Sequence, residues 1–246
     1  MEIPASSNER SIFNLRQRWF ASCFSVLTPV YQGMLGQEKQ KLFEDFRTSF
    51  PHRDDDGLEN VPLFLEVGPG PGTNFKYYPT SPCNLIVIDP NLKFKPQVME
   101  NLKKFPHINL IGFYETGIEG VSRFVKDNSV SIVIGTDVGC SVPDVKAYYD
   151  NVLKVLRPGG KFYYIEHIRA EEGSMLRFKQ RVFKKWWEFH GCGCQLDRDL
   201  DKQIKTAGFS GVDQTTFYLD MSQISWYYKT FVFGIVPRHV RGIATK

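Results

Sequence analysis

The sequence predicts an α/β protein built on a doubly wound, mostly parallel β-sheet with helices on both faces. Three observations lead to this fold class. Five apolar runs of strand length follow one another from Val61 onward, each run is apolar on both of its faces, and the intervals between runs are long enough for crossover helices. The runs are PLFLEV (62–67), NLIVID (84–89), INLIGFY (108–114), VSIVIGT (130–136) and GKFYYIE (160–166).

The composition limits the class of protein. The chain has 246 residues, of which 42% are hydrophobic and 24% charged, and this is enough for one sizeable core. A formal net charge of +4 is too small for a dedicated nucleic-acid binder, so we expect no nucleic-acid partner. The 5 cysteines are an odd number without regular spacing, and no secretory signal peptide is recognisable. We therefore expect a reduced, intracellular protein.

The strand pattern divides the chain into an N-terminal helical segment, residues 1–60, and a sheet-bearing domain, residues 61–246. Within the first part, residues 19–37 carry no charge, but their polar side chains and Pro29 make them unsuited to a bilayer-spanning helix. Further on lie a charged helical stretch at 37–50 and an acidic break, HRDDDG, at 52–57. Two roles stay open for the N-terminal segment: an anchor in the membrane interface through residues 10–35, and a lid over a ligand site.

A glycine-rich turn directly follows the first predicted strand, in the stretch LEVGPGPGTNF (65–75). Ligands of doubly wound sheets bind at the carboxyl ends of the strands, where this turn lies. We expect Gly68 to permit the tight turn, Gly70 the close approach of a ligand, and Gly72 the start of the next helix. The spacing is neither that of a phosphate-binding Walker loop nor the G-x-G-x-x-G of dinucleotide sites. A turn without any ligand is the alternative.

An acidic residue, Asp89, closes the second predicted strand. A carboxylate at this position can accept hydrogen bonds from both hydroxyls of a ribose, and it disfavours a 2′-phosphate. Together with the glycine turn, Asp89 indicates an adenosine-bearing ligand. The alternative is a plain turn, since Asp89, Pro90 and Asn91 are all typical turn residues.

These motifs resemble a known family. With NVLKVLRPGGKFYYIEH (151–167), they are similar to class I S-adenosylmethionine-dependent methyltransferases over about residues 61–170. Further motifs resemble the methyltransferase-like 7 subfamily, described as thiol S-methyltransferases attached to internal membranes. These motifs are VLTP (26–29), KLF (41–43), CSV (140–142), EHI (166–168), HGCGCQLDR (190–198) and VPRHVRGIATK (236–246). The resemblance implies a seven-stranded Rossmann-like sheet, S-adenosylmethionine as the methyl donor, and a small apolar thiol as the acceptor.

The resemblance also implies which residues bind the donor. Four residues of the glycine turn would line its methionine end, Asp89 its ribose, two residues after the third strand its adenine, and Asp137 the sulfonium. In chain order, the donor-binding residues are Glu66, Gly68, Gly70, Gly72, Asp89, Ile118, Glu119 and Asp137.

Two residues are candidates for catalysis. Asp137 follows the fourth predicted strand, and His167 ends the fifth. A thiol reacts as its thiolate, so a nearby base or cation would raise the reactive fraction at neutral pH. His167 could act as this base or cation, and so could His190. The alternatives are a turn carboxylate for Asp137 and a structural histidine for His167.

The stretch FHGCGC (189–194) contains three soft metal ligands, His190, Cys192 and Cys194. A closed zinc site needs four ligands, and paired cysteines are usually separated by two to four residues. A single residue separates Cys192 from Cys194. We therefore expect no metal.

A basic amphipathic helix is predicted at 174–190, because apolar residues recur there at steps of three and four while arginines and lysines lie elsewhere. The apolar positions are Met175, Phe178, Val182, Trp186 and Phe189. This face would pack on the domain as a cover over the acceptor pocket, or lie on a membrane surface.

The sequence as a whole favours a methyltransferase acting on an apolar thiol. An O- or N-methyltransferase, a nicotinamide-dependent reductase and a non-catalytic nucleotide-binding protein are the alternatives. The reductase is disfavoured by the glycine spacing and by the absence of a Tyr-x-x-x-Lys pair. The expected location is peripheral, on the cytoplasmic face of the endoplasmic reticulum or of lipid droplets, and otherwise cytoplasmic.

Overall fold

A computed structural model describes residues 7–49 and 61–246, with side chains for 14–46, 61–230 and 232–246. The predicted acidic break at 52–57 lies outside these residues, as does the proposed boundary between residues 60 and 61. The division of the chain into two parts at that point therefore stays a prediction.

A single seven-stranded sheet forms the centre of the described structure, with the strand order β3-β2-β1-β4-β5-β7-β6. Strands β1 to β5 are parallel to one another, and β7 runs antiparallel to both β5 and β6. The strands are β1 (Leu63–Val67), β2 (Cys83–Ile88), β3 (Ile108–Tyr114), β4 (Val130–Thr136), β5 (Leu156–His167), β6 (Gly211–Tyr218) and β7 (Arg238–Thr245). The predicted doubly wound, mostly parallel sheet is confirmed.

Helices cover both faces of this sheet. They are α1 (Ser7–Ser49), α2 (Lys95–Leu102), α3 (Val145–Val155), α4 (Met175–His190) and α5 (Leu200–Gln203). On one face, Leu65 and Phe162 pack with Tyr148 of α3. On the other, Phe64 and Tyr163 pack with the second half of α1. Successive strand residues point to opposite faces, so a run that is apolar throughout supplies both cores.

The crossover from β1 to β2 differs from the prediction. Gly72 does not start an α-helix, and a single 3₁₀ turn, Phe75–Tyr77, lies between the two strands. Tyr78 is extended, with φ −64° and ψ 153°, as the residue before a proline prefers. The second half of α1 covers this face instead, and the ring of Phe43 stacks on Tyr77 at 5.4 Å.

Candidate active site at the carboxyl edge of the sheet

The glycine turn has the backbone that its sequence predicts. Gly68 and Gly70 have φ values of 59° and 54°, in the left-handed region that side chains disfavour. The N–H of Gly68 donates to the carbonyl of Ile88 at 2.9 Å and ties the turn to the end of β2. A Cβ on Gly70 would lie 3.4 Å from the ring of Phe24 in α1. The turn therefore lies directly beneath this helix.

Glu66 is buried at the end of β1, below the turn. Its two carboxylate oxygens accept hydrogen bonds from Asn74 Nδ2 at 2.8 Å and from the Tyr78 hydroxyl at 2.7 Å. Burial raises the pKa of Glu66, and the hydrogen bonds from Tyr78 and Asn74 oppose this. In the described structure Glu66 thus holds the glycine turn in place, and its contact with the donor stays a prediction.

Lys39 of α1 is a buried part of the same network that the sequence did not reveal. Its ammonium donates to Asn74 Oδ1 at 2.7 Å and to Thr73 Oγ1 at 3.1 Å. Burial lowers the pKa of Lys39 to about 8, while the charges of Asp137 and Glu66 oppose the shift. Lys39 lies in a stretch rich in charged residues, so nothing in the sequence distinguished it from a solvated lysine.

Asp89 lies at the end of β2, next to the glycine turn. Its Oδ1 accepts the backbone N–H of Asn91 at 2.7 Å. Burial raises the pKa of Asp89 to about 7, although hydrogen bonds from the backbone of Asn91 and Gly70 lower it. The side chain of Asn91 donates to the carbonyl of Gln17, so α1 also covers this end of the site. The predicted pair of glycine turn and acidic residue is therefore brought together in space.

The two residues predicted to contact adenine, Ile118 and Glu119, begin a 3₁₀ turn, Ile118–Arg123, after β3. Ile118 is buried in the same core as Ile88. Glu119 is exposed, and its carboxylate lies over Gly117. Their role as adenine contacts stays a prediction.

Asp137 occupies the tip of β4, where the resemblance places it, and has a φ of 59°. Its Oδ2 accepts a hydrogen bond from the Tyr31 hydroxyl at 2.7 Å, and its Oδ1 lies 3.5 Å from His239 Nε2. Burial on its own raises the pKa of Asp137, but the hydrogen bond and charge of His239 and the hydrogen bond from Tyr31 outweigh it and lower the pKa. Asp137 is therefore held as a partly buried carboxylate.

His239 was not among the residues predicted for the site. It lies on β7, whose antiparallel pairing brings it opposite His167 of β5. Its Nε2 is 3.1 Å from the Tyr31 hydroxyl, and its ring stacks on Phe217 at 5.6 Å. The buried Nδ1 of His239 has no hydrogen-bond partner among the described residues. Because this position depends on a strand pairing between distant segments, no local pattern indicated it.

His167 ends β5 and is buried, as predicted, but it contacts sulfur atoms. Its Nδ1 lies 3.6 Å from Cys194 Sγ. Burial lowers its pKa, yet Cys140, Asp137 and Glu166 together outweigh this, so that the pKa of His167 is raised. Its catalytic role stays a prediction. His190, the other candidate, contacts Trp186 at the end of α4.

The loop after β4 is held by two side chains, Glu166 and Arg198. Glu166 accepts the backbone N–H groups of Val138, Gly139 and Cys140 at 3.1, 2.7 and 3.3 Å. Burial raises the pKa of Glu166 to about 8, and these hydrogen bonds oppose the shift. On the other side, Arg198 donates to two carbonyls of the loop. Asp137 therefore sits on a rigidly fixed segment.

The apolar face predicted for α4 points outward. Its five predicted apolar residues are between 51% and 69% exposed, so the expectation that this face packs on the domain as a cover is wrong. The buried residues of α4 are instead the polar Arg177 and Gln180. The cover is supplied by the first half of α1, where Phe24 and Tyr31 face the site.

None of the described helices is both long enough and apolar enough to cross a bilayer.

The three soft ligands of residues 189–194 do not come together. Cys192 lies beside Gln17 and His190 beside Trp186, whereas Cys194 is buried next to His167 and Cys140.

Comparisons with known proteins identify the family. A family model described as a methyltransferase domain matches residues 65–164. Thiol S-methyltransferase TMT1A of Homo sapiens is 30% identical over 230 residues, which are 94% of this chain and 87% of the relative. The chain belongs to the thiol S-methyltransferase family. Thiol S-methyltransferase TMT1B of Rattus norvegicus is 29% identical, over 93% of this methyltransferase and 86% of the relative.

Solved structures agree on the fold. Phosphoethanolamine N-methyltransferase 2 of Haemonchus contortus, solved with S-adenosyl-L-methionine, superimposes with a TM-score of 0.60 at 12% identity over 88% of this chain and 56% of that one. A methyltransferase of Thermotoga maritima, a possible histamine N-methyltransferase, gives a TM-score of 0.58 at 14% identity over 94% and 99% of the two chains. This protein is a class I methyltransferase that uses S-adenosylmethionine, as predicted, and not a nicotinamide-dependent reductase.

Proposed function

We propose that this methyltransferase transfers the methyl group of S-adenosylmethionine to the sulfur of a small apolar thiol. The observation that carries the proposal is the hydrogen-bonded group of Tyr31, Asp137 and His239 at the tip of β4. The thiol S-methyltransferase relatives support the choice of acceptor.

The residues at the carboxyl edge fit the donor. A Cβ on Gly70 would already touch the ring of Phe24, 3.4 Å away, so a larger side chain there would intrude between the turn and α1. Asp89 is a buried carboxyl whose raised pKa reflects its poor solvation, and two ribose hydroxyls would stabilise its charge by hydrogen bonding. The partly buried carboxylate of Asp137, whose pKa is lowered, would favour a cationic sulfonium. When bound, the donor supplies an already activated methyl group, so the protein's task is to align the reactants and exclude water.

The thiol must lose its proton to become a good nucleophile. In our proposal His239 accepts that proton at Nδ1, the ring nitrogen that has no partner among the described residues. Asp137 faces the opposite nitrogen, Nε2, and orients the ring as well as stabilising the imidazolium that forms. Tyr31 contacts both groups and fixes their separation.

A screen with labelled S-adenosylmethionine tests the acceptor class. Thiols, phenols and amines that carry the same alkyl or aryl group are compared at equal concentration. We expect methylation of apolar thiols, with little transfer to the matched phenols and amines. Efficient methylation of a phenol or amine together with inert thiols would replace the proposal with an O- or N-methyltransferase.

The variant His239→Gln tests the proposed proton acceptor, with His190→Gln as its matched control. We expect a loss of about 100-fold or more in kcat for weakly acidic alkyl thiols, with donor affinity little changed. The loss should shrink for acidic aryl thiols, which are already ionised. An equal loss for acidic and weakly acidic thiols would show that His239 is structural.

We also propose that the protein binds peripherally to the cytoplasmic face of internal membranes through an outer apolar surface. This surface comprises the exposed side chains of α4 and, from the first half of α1, Leu15, Trp19 and Val26. Arg16 donates to backbone carbonyls of Glu188 and Phe189, and the ring of Trp19 lies 5.2 Å from that of His190, so the two helices form one continuous face. The exposed Lys179 and Lys185 are placed to meet anionic headgroups.

Residues 10–35, the predicted membrane anchor, therefore contribute both to the cover over the site and to the outer apolar surface. The side chains of Ile12 and Phe13 lie outside the described residues. Phe24 and Tyr31 belong to the cover over the site, while Trp19 and Val26 point outward. A truncation of residues 1–35 would remove both surfaces at once, so point variants are needed to separate them.

Vesicle sedimentation tests the membrane proposal. The double variant Phe178→Ser/Trp186→Ser should lose most binding to anionic vesicles at low salt and retain activity towards water-soluble thiols. A matched control, Ile111→Ser/Phe124→Ser, changes exposed apolar side chains outside this surface and should bind as the unmodified protein does. Unchanged vesicle binding of the first variant would refute this surface as the attachment site.

A further inference from the structure

Three soft metal ligands from distant parts of the chain converge beneath the loop that carries Asp137. Cys140 lies in that loop, His167 ends β5, and Cys194 follows α4. One ligand atom from each lies within 4.8 Å of the others, and all three residues are buried. These residues come from three of the motifs on which the family resemblance rests, and no local sequence pattern groups them.

The separation of these atoms suits a tetrahedral zinc ion. With Zn–S about 2.3 Å and Zn–N about 2.0–2.1 Å, a tetrahedral angle places sulfur and nitrogen about 3.6 Å apart. The observed distance from Cys194 Sγ to His167 Nδ1 is 3.6 Å, and to Nε2 it is 3.8 Å. This pair therefore has the separation of two ligands on one tetrahedral ion, and the third ligand atom lies within 4.8 Å of both.

The polar environment of the cluster also favours a metal. A buried imidazole normally pairs with oxygen, yet the described partners of the His167 ring nitrogens are sulfur atoms, which are weak hydrogen-bonding groups. The indole N–H of Trp187 donates to Cys194 Sγ at 3.1 Å, a contact that stabilises a metal-bound thiolate. Two thiolates, one neutral imidazole and Zn²⁺ sum to zero charge, which suits a buried site.

We propose that Cys140, His167 and Cys194 bind one Zn²⁺ ion, each thiol releasing its proton to solvent on binding. Three protein ligands leave a fourth position. Two oxygen atoms lie close to the sulfur of Cys140, Ser141 Oγ at 3.5 Å and the Asp137 carbonyl oxygen at 3.6 Å. The ion would join the loop after β4, the end of β5 and the loop after α4 into one wall of the active site.

The site differs from the one that the sequence excluded. The close spacing of Cys192 and Cys194 disfavours a site that contains both, and Cys192 takes no part here because it lies beside Gln17. Cys140 and His167 replace it through tertiary contacts.

Cobalt and zinc titrations of the reduced, full-length protein test the proposal. We expect one Co²⁺ per chain, with a sulfur-to-cobalt charge-transfer band, displaced by one Zn²⁺. The variants Cys140→Ser and Cys194→Ser should weaken Zn²⁺ affinity at least tenfold and reduce the band, while Cys83→Ser and Cys192→Ser should behave as the unmodified protein. Circular dichroism of each variant establishes that it is folded.

A second measurement needs no variant. Added Zn²⁺ should raise the Tm of the reduced protein, and a chelator should reverse the rise. The proposal is refuted if the reduced protein takes up neither metal, if Cys192→Ser loses binding while Cys140→Ser retains it, or if the cysteines form a Cys140–Cys194 disulfide whose reduction restores no metal uptake. Methyl transfer can persist in each of these cases, so they leave the proposed acceptor unaffected.

Discussion

The second half of α1 and helix α4 both carry aromatic residues at steps of three or four, and they use them in opposite ways. Phe43 and Phe46 of α1 are 0% exposed, whereas Phe178 and Trp186 of α4 are 62% and 51% exposed. The first helix covers the sheet face beside the short β1–β2 crossover. The second is attached through its polar side, where Gln180 bonds the backbone of Ala170 and Ile235. A helical period therefore identifies an apolar face without identifying what covers it.

The largest expected effect is a difference in protein stability between substitutions in α1 and in α4. Phe46→Ala should lower the free energy of unfolding by about 3–5 kcal/mol, because it leaves a cavity among buried aromatic rings. The matched change Phe178→Ala should alter it by no more than about 0.5 kcal/mol. Urea unfolding followed by circular dichroism measures both, and comparable losses for the two variants would contradict the contrast between the helices.

A smaller effect is expected in the site beneath α1. Asp89→Ala should weaken binding of S-adenosylmethionine by about 1–3 kcal/mol, because ribose hydroxyls would lose their acceptor. The exposed Asp127 offers a control, and Asp127→Ala should leave affinity unchanged. Isothermal titration calorimetry gives both values. Equal affinities for all three proteins would remove Asp89 from the donor site.

The pH dependence sharpens the same assignment. The pKa of Asp89 is raised from 3.8 to about 7, so the charged acceptor is in the minority at pH 6 and dominates at pH 8. Donor affinity should rise about tenfold, or about 1.4 kcal/mol, over that interval. Asp89→Asn should abolish the dependence, and calorimetry at both pH values is the test.

Ionisation of Asp89 strengthens donor binding but destabilises the folded protein. A raised pKa means that the native state binds the proton more tightly than the unfolded chain. The stabilisation by Asp89 is therefore complete below pH 3.8 and is lost as the pH rises through about 7. The stabilisation by Glu166 is likewise lost as the pH rises through about 8. Thermal unfolding of the ligand-free protein should show Asp89→Asn losing less stability than the unmodified protein between pH 4 and 7.

The smallest effect concerns the junction between the two helices. Arg16 bonds the last turn of α4 through two backbone carbonyls and is partly exposed. Arg16→Ala should cost about 0.5–1.5 kcal/mol of unfolding free energy and should loosen the outer apolar surface. Hydrogen exchange of the amides in the last turn of α4 should accelerate, while the amides of β4 should remain protected. Unchanged exchange at α4 would show that the two helices are not coupled there.

The sequence by itself determined the sheet, its parallel strands and the first elements of the site. Strands buried on both faces need continuous apolar runs, and a turn that needs positive φ values is marked in the sequence by its glycines. Gly68, Gly70 and Asp89 could therefore be predicted to lie close together. The class of donor followed from the same residues and their family resemblance.

Only the tertiary structure decided what lies over and beneath that turn. His239 reaches Asp137 because β7 pairs antiparallel with β5, Lys39 is buried because α1 crosses the end of β1, and Cys140 meets His167 and Cys194 across three separate segments. Contacts of this kind join residues that are far apart in the chain, and the local pattern around each residue is the same whether or not the contact forms. The direction of the apolar face of α4 was decided in the same way, by the polar contacts that attach the helix to its neighbours.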